Sequence, residues 1–468
     1  MAAVESIKVI IVGAGIGGLT LAILLERANI AYEILEKHPC NNPLGSAICL
    51  VPSVQPLFQQ LGLLDEIKRL SKPFGAMVFR EENMDIIGTY SSRKPLDIKE
   101  RYGEYCQIIS RRDLCSLLVD QIPRHKIQFG KRVLEIRQNS GEVIVQCADK
   151  SVHHADILIG ADGVYSAVRQ CLHNDLEAKG LLPKYDTTPM GYQYDCLVGV
   201  TNPMDPHKNS TLFDKFSEFQ TILSKDSTYS YWCIPLTGNR ISWMVVNYHD
   251  RGKKYAEDTI FKQSDWGVDA AELMSYEYRE LKTTYGCALG DLMDKTPKGA
   301  MAKVMLEEKF CKTWYAGRVA LMGDACHKVV PFGGQGANLA IHDALSFANL
   351  LVGLRTNTVP DIEKVFEAYY KERSPIGRSI VQMSSRIGNL MNRKGWINNI
   401  VRKAALRHTP RWLAQLANDR MSYDRPQAEY LPFVKVGGAL QPRPQKRSAY
   451  IPFASRGLQA EKANSTYL

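Results

Sequence analysis

The sequence predicts an α/β chain, α+β overall. A Rossmann-like domain is built on a parallel sheet, a mainly antiparallel sheet domain is inserted into it, and a C-terminal helical region leads to an extended tail. Three observations predict this. An apolar strand runs straight into a glycine turn and a helix at the N-terminus, from Ile7 to Gly18 and beyond. Helical periodicity then fades between about Leu181 and Tyr248, where short aromatic and β-branched runs take over. Strand and helix texture returns near residue 319, so the first domain is discontinuous.

Length and composition agree with that plan. A chain of 468 residues, 45% hydrophobic and 23% charged, suits two to four ordinary globular domains. It excludes a disordered chain, a collagen-like chain and a small disulfide scaffold. No apolar run reaches the roughly 18 residues of a membrane span, and no secretory signal is expected before the glycine cluster. Eleven cysteines, an odd count with no CxxC pair, point to a reduced, intracellular, cytoplasmic compartment. The net charge is +10, with nine basic and two acidic residues over 386–425 and six against two over 426–468. The body is therefore near neutral, which argues against a nucleic-acid partner.

The elements follow in order. Residues 7–12 read as a buried parallel strand, 19–28 as a helix and 31–35 as the next strand, giving a β-α-β unit. Residues 53–70 read as one helix and 110–121 as another. Residues 126–148 read as strands with a hairpin turn at Asn139-Ser140-Gly141. An apolar run over 155–160 enters a turn, with a helix from about Ser166. Strand 319–322 and helix 337–354 follow, and helices continue to about Asn418.

Three motifs carry chemistry. The first, Gly13-Ala14-Gly15-Ile16-Gly17-Gly18, matches GxGxxG between strand and helix. Gly13 permits the tight turn, Gly15 lets a pyrophosphate approach, and Gly18 lets the helix pack on the strand. The helix N-terminus offers unpaired N–H groups to phosphate. Glu36, 18 residues after Gly18, ends the second strand where an acid binds both ribose hydroxyls. That suits FAD or NAD and would repel the 2′-phosphate of NADP. The second motif runs from Asp156 to Arg169 through Gly160-Ala161-Asp162-Gly163. The third begins at Gly317 and contains Gly323-Asp324-Ala325, Pro331, Gly333 to Asn338 and Asp343. Asp324 follows a buried strand, where an acid binds a ribityl hydroxyl, and the glycine run aims a helix N-terminus at an electron-rich ring edge.

In this order and spacing, over residues 7–380, the motifs resemble the single-component FAD-dependent monooxygenases related to para-hydroxybenzoate hydroxylase, most of all a fungal branch of secondary metabolism acting on terpenoid or polyketide-derived substrates. The resemblance implies a discontinuous FAD-binding domain over 1–72, 100–180 and 290–360. It implies a substrate-binding sheet domain over 73–99 and 181–289, basic C-terminal helices over 361–425 and a loose extended tail over 426–468. It implies that Gly13, Gly15 and Gly18 cradle the FAD pyrophosphate and that Glu36 holds the adenosine ribose. Arg111 would reach FAD, with Arg112 as the alternative register. Asp162 and Arg169 belong to the motif shared by FAD and the nicotinamide donor. Asp324 would bind the ribityl and pyrophosphate region, Ala337 and Asn338 would lie by the isoalloxazine, and Pro331 would border the substrate. Cys49 stands where the fungal relatives usually carry glycine. The contact there is expected through backbone, and the side chain is either a small buried residue or a soft oxidation site.

The implied activity uses NAD(P)H and O2. Reduced FAD takes up O2 as a C4a-hydroperoxide, whose distal oxygen hydroxylates or epoxidises an apolar aromatic or terpenoid-type small molecule. Tyr231, in the pair Tyr231-Trp232, is the candidate catalytic side chain, against the alternative of a core aromatic on a strand. His327 is either a proton relay or a structural hydrogen-bonding group. His153 and His154 would face opposite ways on a strand, and no metal is predicted. Two other readings remain open: a flavin-dependent reductase of polyprenyl or other olefinic substrates, and a non-catalytic flavin-binding scaffold. Over 386–411, Trp396, Ile397, Ile400, Val401 and Ala404 share a helical face flanked by Arg393, Lys394, Arg402, Lys403 and Arg407. That face would either pack on the flavin domain or make peripheral contact with a membrane.

Overall fold

The computed structural model describes residues 7–41, 45–91, 98–224, 229–249, 268–392 and 396–445. Its first strand, Lys8–Val12, is central to a six-stranded sheet and pairs in parallel with Ala31–Leu35 and Ile157–Gly160. Both faces of that strand are covered, which is why Val9, Ile10 and Ile11 are all apolar and fully buried. Gly13 stops the strand at φ +105, where a Cβ would lie 2.6 Å from the Ala161 carbonyl oxygen. The helix Ile16–Arg27 starts there and packs on the helix Gly336–Leu351, with Gly17 against Ala340. A small antiparallel sheet of Val133–Gln138, Val143–Cys147 and Val152–Ala155 completes this half, with the expected hairpin at Asn139 to Gly141. In the last strand His153 reaches Glu33 and His154 reaches Glu142, on opposite sides.

The second sheet has ten strands and is mainly antiparallel. Its middle is Gly191–Val200, Arg240–Tyr248, Tyr229–Leu236 and Ser217–Leu223; the last of these runs parallel to Ser71–Glu81. Its members come from more of the chain than expected. Ala302–Phe310, assigned by sequence to the flavin side of a boundary at 289, pairs with Gly191–Val200. Ala302, Val304 and Leu306 alternate into the same apolar cluster as Tyr194, Cys196 and Val198, a period-two pattern obscured by Lys303 and the charges at 307–309. Ala47–Leu50 and Gln107–Ser110 form the other end of the sheet.

Other expectations are corrected. The single helix over 53–70 is two, Gln55–Gln60 and Leu64–Leu70, because Gly62 adopts φ +75 and ends the first in a left-handed cap. The tail is not loose over 426–445. It has no regular element, yet Ala428 is fully buried, Gln60 donates to the Ala428 and Pro432 carbonyls, and Tyr430 donates to the Leu24 carbonyl. Residues 446–468 lie outside the described residues. The C-terminal helices are Val359–Asn392, Trp396–His408 and Arg411–Ser422. The apolar face of the second does not pack on the flavin half: Ile397, Ile400 and Val401 face outward, and Arg402 is buried. Arg393 and Lys394 lie outside the described residues. Among the described residues, no helix is long and apolar enough to cross a membrane.

Candidate active site

The glycine turn opens beside Glu36. One carboxylate oxygen accepts the Ala14 N–H at 2.7 Å and the other the His38 N–H at 2.9 Å, which fixes the acid at the mouth of the turn. Gly15 faces open space, and the helix behind it has no side-chain cap, so its first N–H groups point outward. The second motif meets the third through Arg169, whose guanidinium donates to the Ala325 carbonyl at 2.9 Å and the Val164 carbonyl at 2.6 Å. Ser166 caps the helix Ala167–Ala178 by accepting the Arg169 N–H. Asp162 is half-buried, and desolvation of its carboxyl raises its pKa against the opposing bonds from Ser166 and Val168. Its Oδ1 has no partner among the described residues and its Oδ2 accepts the Val168 N–H.

Asp324 sits on the one-turn helix Gly323–Ala325, with Lys328 at 2.7 Å. The helix Gly336–Leu351 also starts without a side-chain cap, directly after Gly334 at φ +61. Asn338 is committed inside the protein. Its amide donates to the Cys49 and Gly334 carbonyls and its oxygen accepts the Val51 N–H. This bond set ties the strand Ala47–Leu50 to the helix start, while Ala337 beside it is half-buried. The Cys49 side chain points the other way, to the Cys106 thiol. That bond and burial together push its thiol pKa well up. Arg111 lies along Gly45, whose Cβ would be 3.0 Å from the Arg111 Cδ, and its charge reaches the Cys115 thiol. Arg112 lines a cleft of about 110 Å³ with Gly45, Ser110, Thr201 and Arg240.

The aromatic pair is divided by strand parity. Tyr231 lies on the far face of the ten-stranded sheet, 1% exposed, among Leu197, Trp243 and Leu289. Its hydroxyl donates to the Lys282 carbonyl at 2.7 Å. It is a core aromatic there and faces away from Pro331. Trp232 takes the near face. Its ring lies 6.1 Å from Phe332, which packs 5.0 Å from Tyr194. Phe332 follows Pro331, so this wall stands directly on the glycine run. His327 is no relay to solvent: it is 1% exposed, packed at a tilt against Trp314 with ring centroids 5.2 Å apart, and bonded through Nε2 to Asp343 at 2.6 Å.

Arg373 is the residue that local sequence reading missed, and Asp343, though part of the third motif, carried no assigned role there. The Asp343 carboxylate is fully buried and accepts from the Gly323 N–H at 3.0 Å, from His327 and from the Arg373 Nε at 2.8 Å. Burial alone would raise its pKa, but the adjoining charges and hydrogen bonds of His327 and Arg373 hold it below the usual carboxylate range. Asp343 carries a weak signal, an acid in a helix otherwise rich in apolar residues. Arg373 carries none, being thirty residues away.

The site fits FAD on its own geometry. Two uncapped helix starts, open space at Gly15 and Gly334, the carboxylate of Glu36 and the unpartnered buried oxygen of Asp162 form a cradle for a dinucleotide. Residues 6–384 match the family described as FAD binding domain. The FAD-dependent monooxygenase ausM of Aspergillus calidoustus is 31% identical over 371 residues, 78% of this chain and 75% of that protein. The FAD-dependent monooxygenase andE of Emericella variicolor is 27% identical over 461 residues, 96% and 93% of the two chains. Among solved structures, Klebsiella pneumoniae HpxO complexed with FAD and uric acid matches at TM-score 0.70 and 21% identity, covering 90% of this chain and 97% of that one. Together these define a flavoprotein oxidoreductase with the fold of the para-hydroxybenzoate hydroxylase type. The chain belongs to the FAD-binding-domain family and, within it, to the FAD-dependent monooxygenases.

Proposed function

We propose that this enzyme uses NAD(P)H and O2 to hydroxylate or epoxidise an apolar, aromatic or terpenoid-type small molecule in secondary metabolism. The observation that carries the reading is the wall of Tyr194, Trp232 and Phe332 set on Pro331 and the glycine run. Bound FAD, reduced by the nicotinamide and exposed to O2, supplies an electrophilic oxygen there. The chain supplies the rest. Gly13, Gly15, Gly18, Glu36 and Asp324 bind the cofactor. Arg111 approaches it beside Gly45, and the uncapped start of the helix Gly336–Leu351 at Ala337 places N–H groups where negative charge develops on its ring. The aromatic wall excludes water and holds a substrate carbon within reach. The fungal relatives named as FAD-dependent monooxygenases support the same chemistry.

The test is anaerobic reduction of the flavin-loaded protein by NADPH and NADH, then 18O2, with candidate terpenoids and phenols. Faster reduction with one of them and a product carrying 18O are expected. A product reduced at an olefin without 18O would move the assignment to a reductase. A protein that FAD cannot reconstitute would overturn it.

A further inference from the structure

The helix Trp396–His408 is built with its apolar stripe outward. Ile397, Ile400 and Val401 are 57%, 58% and 51% exposed, at the i, i+3, i+4 spacing of one face. The inward face is already satisfied. Arg402 is 3% exposed and donates to the Met391 carbonyl at 2.7 Å and to Asn399 Oδ1 at 3.1 Å. Leu406 packs on Phe79 and Ile87, and the helix backbone lies so close that a Cβ on Gly88 would meet the Leu406 carbonyl at 2.5 Å. Rolling the helix to cover Ile400 would therefore break the bond of this buried guanidinium to the Met391 carbonyl, since only Asn399 would turn with it. The next helix repeats the arrangement. Trp412 is 66% and Leu413 45% exposed, while Asp419 on the inward side holds Arg101 through two bonds of 2.6 Å.

Single exposed apolar residues are ordinary, but such a run on two consecutive helices with anchored inner faces marks a docking surface. Its charge identifies the occupant. Over 386–425 nine basic residues stand against two acids, whereas the chain before them is near neutral; of the nine, Arg402 and Arg425 are buried and Lys403 pairs with Glu81. Of those two acids, Asp419 is spent on Arg101 and Asp424 pairs with Arg443. Arg407 and Arg420 remain exposed beside the stripe. Aliphatic side chains and a tryptophan flanked by arginines, on helices too short and polar to span, are the composition of an interfacial element.

We propose that the outward face of these two helices docks onto the surface of an anionic lipid bilayer. The surface stands independently of the substrate proposed above. It lies over the substrate sheet, since Asn418 donates to the Tyr90 hydroxyl, and Tyr90 packs on Phe74 of that sheet.

The experiment is co-sedimentation of the full-length, flavin-loaded protein with vesicles of phosphatidylcholine, or of phosphatidylcholine mixed with phosphatidylserine, at low and high salt. Binding to the mixed vesicles, weakened by salt, is expected. Combining Ile400→Asp with Val401→Asp should lower the partition coefficient about tenfold or more. Arg407→Glu and Arg420→Glu should each lower it roughly fivefold or more, with flavin content and melting temperature unchanged. Binding equal to wild type in the aspartate variant would overturn the proposal, as would a wild-type protein left in the supernatant of the mixed vesicles. A dimer in sedimentation velocity that Ile400→Asp dissociates would assign the face to a second copy of the chain instead. Turnover of a detergent-dispersed substrate reads the proposed function separately and should survive every one of these variants.

Discussion

Asp343→Asn tests the buried charge cluster behind the flavin site. Asparagine keeps the shape and one acceptor oxygen, so no cavity forms. It leaves the Arg373 guanidinium, 4% exposed, without its counter-charge and weakens the short bond to His327. Breaking one partner of a buried ion pair costs about 3–5 kcal/mol. With an unfolding entropy of roughly 2.1 cal/mol/K per residue, a chain of 468 residues loses about 1 °C per kcal/mol, so the melting temperature should fall by about 3–5 °C. The same carboxylate oxygen holds the Gly323 N–H, so the turn carrying Asp324 should loosen and flavin should be lost faster on dialysis. Melting is followed with the flavin stripped and again with FAD in excess, which separates the two effects. The pH dependence has a definite sign. The folded carboxyl has a depressed pKa, so its contribution is complete above the unfolded value of 3.8 and disappears as the pH falls through the lower, folded one. The gap between wild type and variant should therefore close only in strong acid. Adding Arg373→Met to Asp343→Leu should recover part of the loss, because the buried Arg373 guanidinium is then no longer left without its counter-charge. An Asp343→Asn protein that melts with wild type and keeps its flavin equally well would refute this reasoning.

Gly13→Ala should lose flavin and cost about 1–3 kcal/mol in urea unfolding, because its φ of +105 and the 2.6 Å approach to the Ala161 oxygen leave no room for a methyl group. Full flavin occupancy in that variant would contradict the placement of the turn. Trp232→Ala should raise KM and divert NAD(P)H oxidation to hydrogen peroxide, read as product formed per nicotinamide consumed. Unchanged coupling would remove Trp232 from the substrate wall. Tyr231→Phe should lose only the bond to the Lys282 carbonyl, about 0.5–1.5 kcal/mol of stability, and keep kcat/KM within about twofold. A large loss of kcat in that variant, with stability intact, would restore Tyr231 as a catalytic residue.

What the sequence revealed and what it concealed divide along physical lines. The β-α-β unit was legible because its signals are local: an apolar strand, a glycine at positive φ, and a helix whose start must stay open. Glu36 was legible for the same reason, being one residue past a strand of fixed length. The aromatic pair at 231 and 232 showed that this strand carries large rings, but not which ring faces Phe332 and the glycine run. Parity depends on the neighbouring strands, and a shift of one residue exchanges the faces. The strand Ala302–Phe310 was hidden because charged residues interrupt its apolar alternation, even though Glu307 and Lys309 are buried in the fold. The contact between Asp343 and Arg373 joins two helices, and no local pattern encodes it. The stripe from Ile397 to Val401 was visible, yet amphipathicity says only that a face wants cover and not what provides it.

The long helix Val359–Asn392 explains how such separate signals become one site. Arg373, Gly377, Ser384 and Gly388 fall four, seven and four residues apart, which places them along one stripe. Arg373 binds Asp343, and Gly377 sits under the His327 ring, where a Cβ would be 3.4 Å away. Ser384 lies against Gly333, and its buried hydroxyl has no partner among the described residues. Gly388 lies against Phe332, where a Cβ would come within 2.6 Å of the ring. The stripe alternates one charged anchor with small residues because the loop from Gly323 to Gly334 must lie directly on the helix. The groups around Asp324 and the aromatic wall at Phe332 are thus clamped by one rigid element. That same helix then leads into the two helices whose outer face is apolar and basic. The position of the turn at Asp324, the shape of the aromatic wall and the placement of the proposed membrane face are set by a single helix axis. This is why the residues that orient the site lie so far along the chain from the motifs that announce it.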